Sequence, residues 1–292
     1  MQLSELIGRI AIRLGYRYPS GTPTLSTDRK SFIVNCVNDA CRDIAIAFQE
    51  DFLKYTTKSL DAPYETGAVS VTKGSTTVTG DGTNWTSSHA NWWFYGPDGR
   101  LYEIASIGGS QSLILAEAYI GDTESGASYK LTPLFYDLPS DLLQLVDVTR
   151  KQTPLTGVPL RNLQALIGFG TPSNYALKGN KILFYPFPDE AIQVTLLYVR
   201  KPTTVSNDTD VIDVPEQYLR YLELTVWRRV AELWSKEDVP NAVRAEMQEF
   251  ELLLAKGGRQ KERVRIARNR FADPLIDGIK APAWLPDDLE RL

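Results

Sequence analysis

The chain of 292 residues contains few of the side chains that catalytic and metal sites use most often. It has one histidine, His89, and two cysteines, Cys36 and Cys41. A metal site needs several such ligands close together, and a histidine base needs a nucleophile and an orienting acid. The sequence around His89 offers neither set, and no phosphate loop, nucleophile elbow or dinucleotide-binding motif occurs elsewhere. These absences predict a protein that is not an enzyme and has no metal or cofactor.

Long apolar runs are missing as well. No stretch approaches the roughly 20 apolar residues of a membrane-spanning helix. Residues 1–15 mix charged with apolar positions, which predicts an amphipathic helix and not a signal peptide. The two cysteines lie on diverging sides of one predicted helix, so we expect buried thiols in a reducing cytoplasm rather than a disulfide. The net charge of −4 gives no overall attraction to nucleic acid or to an acidic membrane.

Helical periodicity marks both sides of a central β-rich region. Leu3–Leu14 has one apolar side and ends at Gly15, and a longer amphipathic stripe, capped by Thr27 or Asp28, continues to Phe48. Val214–Trp234 is a third predicted helix, with Pro215 at its start and Asp213 as a candidate cap. A fourth begins at Pro240 and ends at Gly257-Gly258.

Short β-type runs separated by turn pairs fill Gly67–Leu131. About five strands in such a stretch are typical of a small closed or nearly closed β-barrel, here inserted into a larger domain. The following region predicts a short helix over Leu160–Ile167 and three strands, Asn174–Leu177, Lys181–Tyr185 and Ile192–Arg200. We therefore expect an α+β fold with a helical bundle core, a β-strand region, an inserted small β-barrel-like domain and an extended C-terminal arm. The predicted parts are residues 1–62 and 133–258 (core), 63–132 (insertion) and 259–292 (an extended C-terminal arm).

The helix over Val214–Trp234 has two apolar lobes, and a helix that buries one face needs only one. One interpretation is that the second lobe contacts a neighbouring subunit, and the other is that the whole helix lies in a monomer core. The first interpretation predicts a set of interface residues around the second lobe: Arg220, Glu223, Leu224, Trp227 and Trp234.

Two further regions are candidate binding surfaces. Trp92, Trp93 and Tyr95 in the β region either fill a barrel core or contact a glycan or a tail protein. The C-terminal arm combines a basic run with isolated apolar anchors, which indicates an extended segment laid over a protein partner, with phosphate binding as the alternative. The arm residues predicted to bind are Arg259, Lys261, Arg263, Arg265, Arg268, Arg270, Phe271, Trp284 and Leu285.

Three stretches resemble parts of tailed-phage structural proteins. Ala68–Trp85 is similar to a module that recurs in these proteins. Gly179–Pro202 resembles the strand, Tyr-Pro-x-Pro turn and strand of phage head-to-tail adaptors, and the helix entered through Val214-Pro215-Glu216 resembles the helix that follows it. The order of elements also matches, so the chain resembles the head-to-tail adaptor (connector or neck) family.

This resemblance implies a structural virion protein at the neck, assembled in the host cytoplasm. It implies a homo-oligomeric ring of about twelve copies beneath the portal, whose closure needs two different surface patches on each copy. The implied partners are the portal protein, tail tube, nozzle or fibre proteins, and double-stranded DNA in passage. The alternative function is a tail or fibre component that binds host glycan through the aromatic β insertion.

Overall fold

A computed structural model describes residues 1–15, 25–163 and 167–235, together with residues 241, 244, 245, 247, 248 and 252. In these residues the chain is a mixed α+β protein in which most regular structure is β-sheet. The chain divides into two compact units, residues 1–48 with 202–292, and residues 49–201.

The helices and strands are numbered in chain order. The helices are α1 (Leu3–Arg13), α2 (Thr27–Ala47), α3 (Leu160–Leu163) and α4 (Leu219–Val230). The first eight strands are β1 (Leu53–Leu60), β2 (Ala68–Val71), β3 (Thr77–Asp81), β4 (Trp93–Tyr95), β5 (Leu101–Gly109), β6 (Ser112–Leu115), β7 (Glu124–Ala127) and β8 (Lys130–Thr132). The remaining strands are β9 (Phe135–Asp137), β10 (Leu142–Arg150), β11 (Thr153–Pro154), β12 (Thr156–Gly157), β13 (Asn174–Lys178), β14 (Lys181–Tyr185) and β15 (Ile192–Arg200).

The helical unit contains α1, α2 and α4, and α4 contacts both of the others. α1 and α2 bury the apolar stripes that their periodicity predicted, including Leu6 and Ile10 of α1. The cap of α2 is Ser26, whose hydroxyl accepts the backbone N–H of Arg29 at 3.4 Å, so the predicted Thr27 or Asp28 cap is displaced by one or two residues. Cys36 and Cys41 are buried free thiols.

The described residues do not show the predicted helical bundle core. Residues 49–60 and 133–201 belong to that predicted core, and their described parts form the strands β1 and β9–β15, a 3₁₀ helix at Gln49–Phe52 and the single turn of α3. These strands build two four-stranded sheets, ordered β1-β15-β10-β11 and β12-β13-β14-β9. Residues of both sheets share one buried cluster, which includes Leu60, Val194, Ile182 and Tyr136. The two sheets therefore pack face to face, as apolar sheet faces must to leave water.

The β region forms a seven-stranded antiparallel sheet in the order β7-β2-β3-β6-β5-β4-β8. Val69 and Val78, near one end of that order, share a single core with Phe94 and Leu131 at the other end. A flat sheet would keep these strands apart, so the sheet curls around its own core. β7 and β8 remain edges, and the predicted barrel is therefore an open half-barrel.

Candidate interaction surfaces

The helix predicted over Val214–Trp234 begins later than its sequence indicated. A 3₁₀ turn, Glu216–Tyr218, follows Pro215, and the α-helix starts at Leu219. The carboxylate of Asp213 accepts hydrogen bonds from the backbone N–H and the hydroxyl of Thr203, at 2.9 and 3.1 Å. The carboxylate of Asp213 therefore holds the preceding loop in place, just before the start of this helix.

Glu223 of α4 is the centre of a buried ion cluster. Its side chain is 6 % exposed, and one carboxylate oxygen accepts a hydrogen bond from Nε of Arg13 at 2.7 Å. Guanidinium nitrogens of Arg9 and Arg220 each lie 3.6 Å from the same carboxylate. A buried carboxylate is stable only when it is paired and hydrogen-bonded, and the arginines of α1 and α4 meet that need. Glu223, predicted at a subunit interface, therefore joins two helices of one copy.

The other predicted interface residues differ in accessibility. Leu224 is fully buried and Trp227 is 8 % exposed, so neither presents much surface to a neighbouring copy. The indole nitrogen of Trp227 is also buried and has no hydrogen-bond partner among the described residues. Arg220 differs, because 43 % of its side chain is exposed. The second apolar lobe thus supports the helical unit from inside at Leu224 and Trp227, while the side chain of Trp234 lies outside the described structure.

His89 has a structural role in the β region. It lies at the third position of the 3₁₀ helix Ser87–Asn91, and its Nδ1 accepts the backbone N–H of Thr86 at 3.0 Å. Its ring also contacts Tyr64 and Trp92, with ring centroids 5.0 and 4.9 Å apart. Burial lowers the pKa of His89, so the neutral ring that this cap needs is favoured.

The aromatic cluster of the β region takes part in packing. Trp92 is partly buried against the half-barrel core, and Trp93 packs against a neighbouring cluster that contains Leu134. The ring of Tyr95 meets Phe169 edge-on, with centroids 5.2 Å apart. Each of these rings therefore has an apolar neighbour, and the arrangement favours the core-filling alternative over a flat aromatic platform for a sugar.

An accessible edge strand is the feature that the sequence did not indicate. β1 is the edge of its sheet, and seven of its eight residues are exposed or half-exposed. Tyr55 is 70 % exposed and Leu53 is 36 % exposed. The run of Leu53–Leu60 contains β-branched and aromatic residues, which was the available signal. Its apolar residues do not alternate regularly because the strand is only weakly buried, so its periodicity does not predict a strand.

The predicted C-terminal arm, residues 259–292, lies outside the described residues, as does most of the helix predicted from Pro240.

In the part of the chain that the structure describes, no group of three or more histidine, cysteine, aspartate or glutamate side chains is arranged to hold a metal ion. None of the helices in these described residues is long and apolar enough to cross a membrane.

Comparison with known proteins supplies the family. Residues 1–272 match the sequence model of the family described as SU10 adaptor protein, which covers nearly the whole chain. Comparison with curated proteins finds no match. The family match confirms the resemblance to phage head-to-tail adaptors, and it assigns the chain a structural role in a phage virion. The chain belongs to the SU10 adaptor protein family.

Proposed function

We propose that this protein is the head-to-tail adaptor of a tailed phage, present as a ring of about twelve copies between the portal and the tail. The observation that carries the proposal is the family match over residues 1–272. In this role the protein joins capsid to tail, contacts the portal and tail proteins, and leaves a central channel through which the DNA passes.

A ring of identical copies needs a heterologous interface, in which one patch of each copy binds a different patch of the next. Arg220 is the proposed α4 residue with the most accessible side chain, and we place it in this interface together with Trp234. The buried Glu223, Leu224 and Trp227 support that surface from beneath. The arm of residues 259–292 provides the second kind of contact, on the portal or on a neighbouring copy. Once one contact has formed, the second is effectively intramolecular, which raises the avidity of the whole ring.

The test is assembly. Purified protein is mixed with the portal protein and imaged by negative-stain electron microscopy, and we expect rings of the protein docked on the portal. A chain truncated after Gly258 keeps every described residue, so it should keep the far-ultraviolet circular dichroism spectrum of the described fold while docking weakens. Absence of rings from the full-length protein with its portal would refute the proposed function. Normal docking of the truncated chain would refute only the role of the arm.

A further inference from the structure

The open edge of β1 has the features of a binding site for an extended polypeptide. β1 pairs with β15 along its full length, from Leu53↔Val199 to Leu60↔Ile192, and has no second strand partner among the described residues. It contains no proline, and its register with β15 contains no bulge. A long regular edge of this kind presents unpaired backbone N–H and C=O groups, and an added strand satisfies them.

The charges of β1 disfavour one of the two longest registers with a second copy of β1. Antiparallel strands related by a two-fold axis pair residues symmetrically about one central residue. Pairing centred on Thr56 or on Thr57 overlaps seven residues; the first places Lys54 directly opposite Lys58, and the second places Lys54 opposite the apolar Leu60. Like charges in directly opposite positions destabilise a strand pair. Lysines on an edge strand are a common protection against self-association, so the occupant of this edge should bring a negative charge to Lys58.

One segment of the chain outside the described residues has the required pattern. Residues 275–281, Leu-Ile-Asp-Gly-Ile-Lys-Ala, are free of proline and lie between Pro274 and Pro282. Proline is tolerated at the ends of an added strand but not within it, so the sequence between these prolines is compatible with an added strand of up to seven residues. The eight residues of β1 can pair with a strand of this length. The chain from Leu252, the last described residue, to Leu275 can extend up to about 80 Å, enough to reach a neighbouring copy.

Antiparallel pairing with Asp277 opposite Lys58 gives favourable neighbours along the strand. Leu275 then lies opposite Leu60, and Lys280 lies opposite the exposed ring of Tyr55. The first pair is apolar, the Asp277 pair joins opposite charges, and the Lys280 pair allows a cation–π contact. Ile279 lies opposite the half-exposed Thr56, and Gly278 lies opposite Thr57.

We propose that residues 275–281 of one copy add as an antiparallel strand to the β1 edge of the next copy, with Asp277 opposite Lys58. This inference rests on the proposed ring, and it names the surface that receives the arm. Contact between one copy's arm and the next copy's sheet is heterologous, as ring closure requires. The backbone hydrogen bonds supply affinity, and Lys58 with Tyr55 selects the register.

Photo-crosslinking tests the contact in the full-length chain assembled with its portal. A variant carrying p-benzoylphenylalanine in place of Tyr55 should give a covalent dimer on a denaturing gel. Mass spectrometry of that dimer should locate the attachment at residues 279–281 of the other copy. The same amino acid in place of Leu177, an exposed residue of β13, is the control and should not capture the segment. Attachment within one chain, to β1, to the portal, or to another segment would overturn the proposal.

Charge reversal tests the register by a separate route. Lys58→Glu and Asp277→Lys should each raise the protein concentration needed for half-maximal ring assembly about two- to five-fold. The double variant should return it to within about two-fold of the wild-type value, because the pair is restored with reversed sign. Lys181→Glu, at a 56 % exposed lysine of β14, is the matched control and should leave assembly unchanged. Wild-type rings together with no effect of either reversal would refute this inference alone, whereas wild-type protein without rings would refute the proposed function as well.

Discussion

Replacing Glu223 by glutamine removes the buried negative charge that lies within 4 Å of Arg9, Arg13 and Arg220 at the junction of α1 and α4. The carboxylate is 6 % exposed, whereas the arginine side chains are 28–52 % exposed. Removing one partner of a fully buried ion pair destabilises a protein by about 3–5 kcal/mol. Water screens these arginines, so we expect a smaller loss of about 2–3 kcal/mol from the helical unit.

Because the chain has two compact units, the assay must report on the helical unit itself. Hydrogen exchange followed by mass spectrometry on peptides that cover α4 gives the free energy of local unfolding of this helix. Glu216→Gln is the matched control, since Glu216 is exposed in the turn before the same helix, and its change should stay within about 0.5 kcal/mol. A loss below about 1 kcal/mol in Glu223→Gln, the range of a surface pair, would refute the argument that this carboxylate holds the two helices together.

Three other predictions follow from single side chains or backbone positions. Trp227→Ala should lower the stability of the helical unit by about 3–5 kcal/mol in the same exchange assay, and ring assembly should fail together with the fold rather than alone. Gly67 has φ +83°, and a Cβ there would overlap the carbonyl oxygen of Asp81, so Gly67→Ala should destabilise the half-barrel by about 1–3 kcal/mol in urea unfolding. The pKa of His89 is lowered from 6.5 by burial, so the unfolded chain binds the proton more readily. The cap of His89 therefore contributes its full share to the free energy of unfolding above about pH 6.5, and this share decreases as the pH falls further. His89→Asn should remove that part of the pH dependence of the free energy of unfolding.

Local patterns of the sequence predicted several elements correctly. α1 and α2 follow from apolar stripes with helical spacing, whose burial needs only some packing partner. The hairpin of β13 and β14 follows from two β-type runs joined at Gly179-Asn180, and Gly179 has the positive φ that such a turn requires. The resemblance to head-to-tail adaptors also rested on local segments, and the family match confirms it.

The edge strand β1 shows what local patterns leave out. Its partner β15 lies more than 130 positions away in the chain, and its exposed residues give little alternation to read. The extent of the β-sheet core was missed for the same reason. The pairing of β1, β10 and β15 joins strands that are far apart in the chain, and it is stabilised when the two sheets bury their faces against one another.

The two-lobed helix shows most clearly which properties the sequence determines and which depend on the tertiary structure. The sequence by itself determined that the region of Val214–Trp234 is helical and that it carries more apolar surface than one buried face needs. It could not determine what covers the second lobe, because a core and a subunit contact demand the same residue types. The tertiary structure covers part of this lobe within one copy, because it brings Arg13 to Glu223 across 210 positions and buries Leu224 and Trp227. A buried carboxylate requires a partner at contact distance, and only the folded structure determines which residue is that partner.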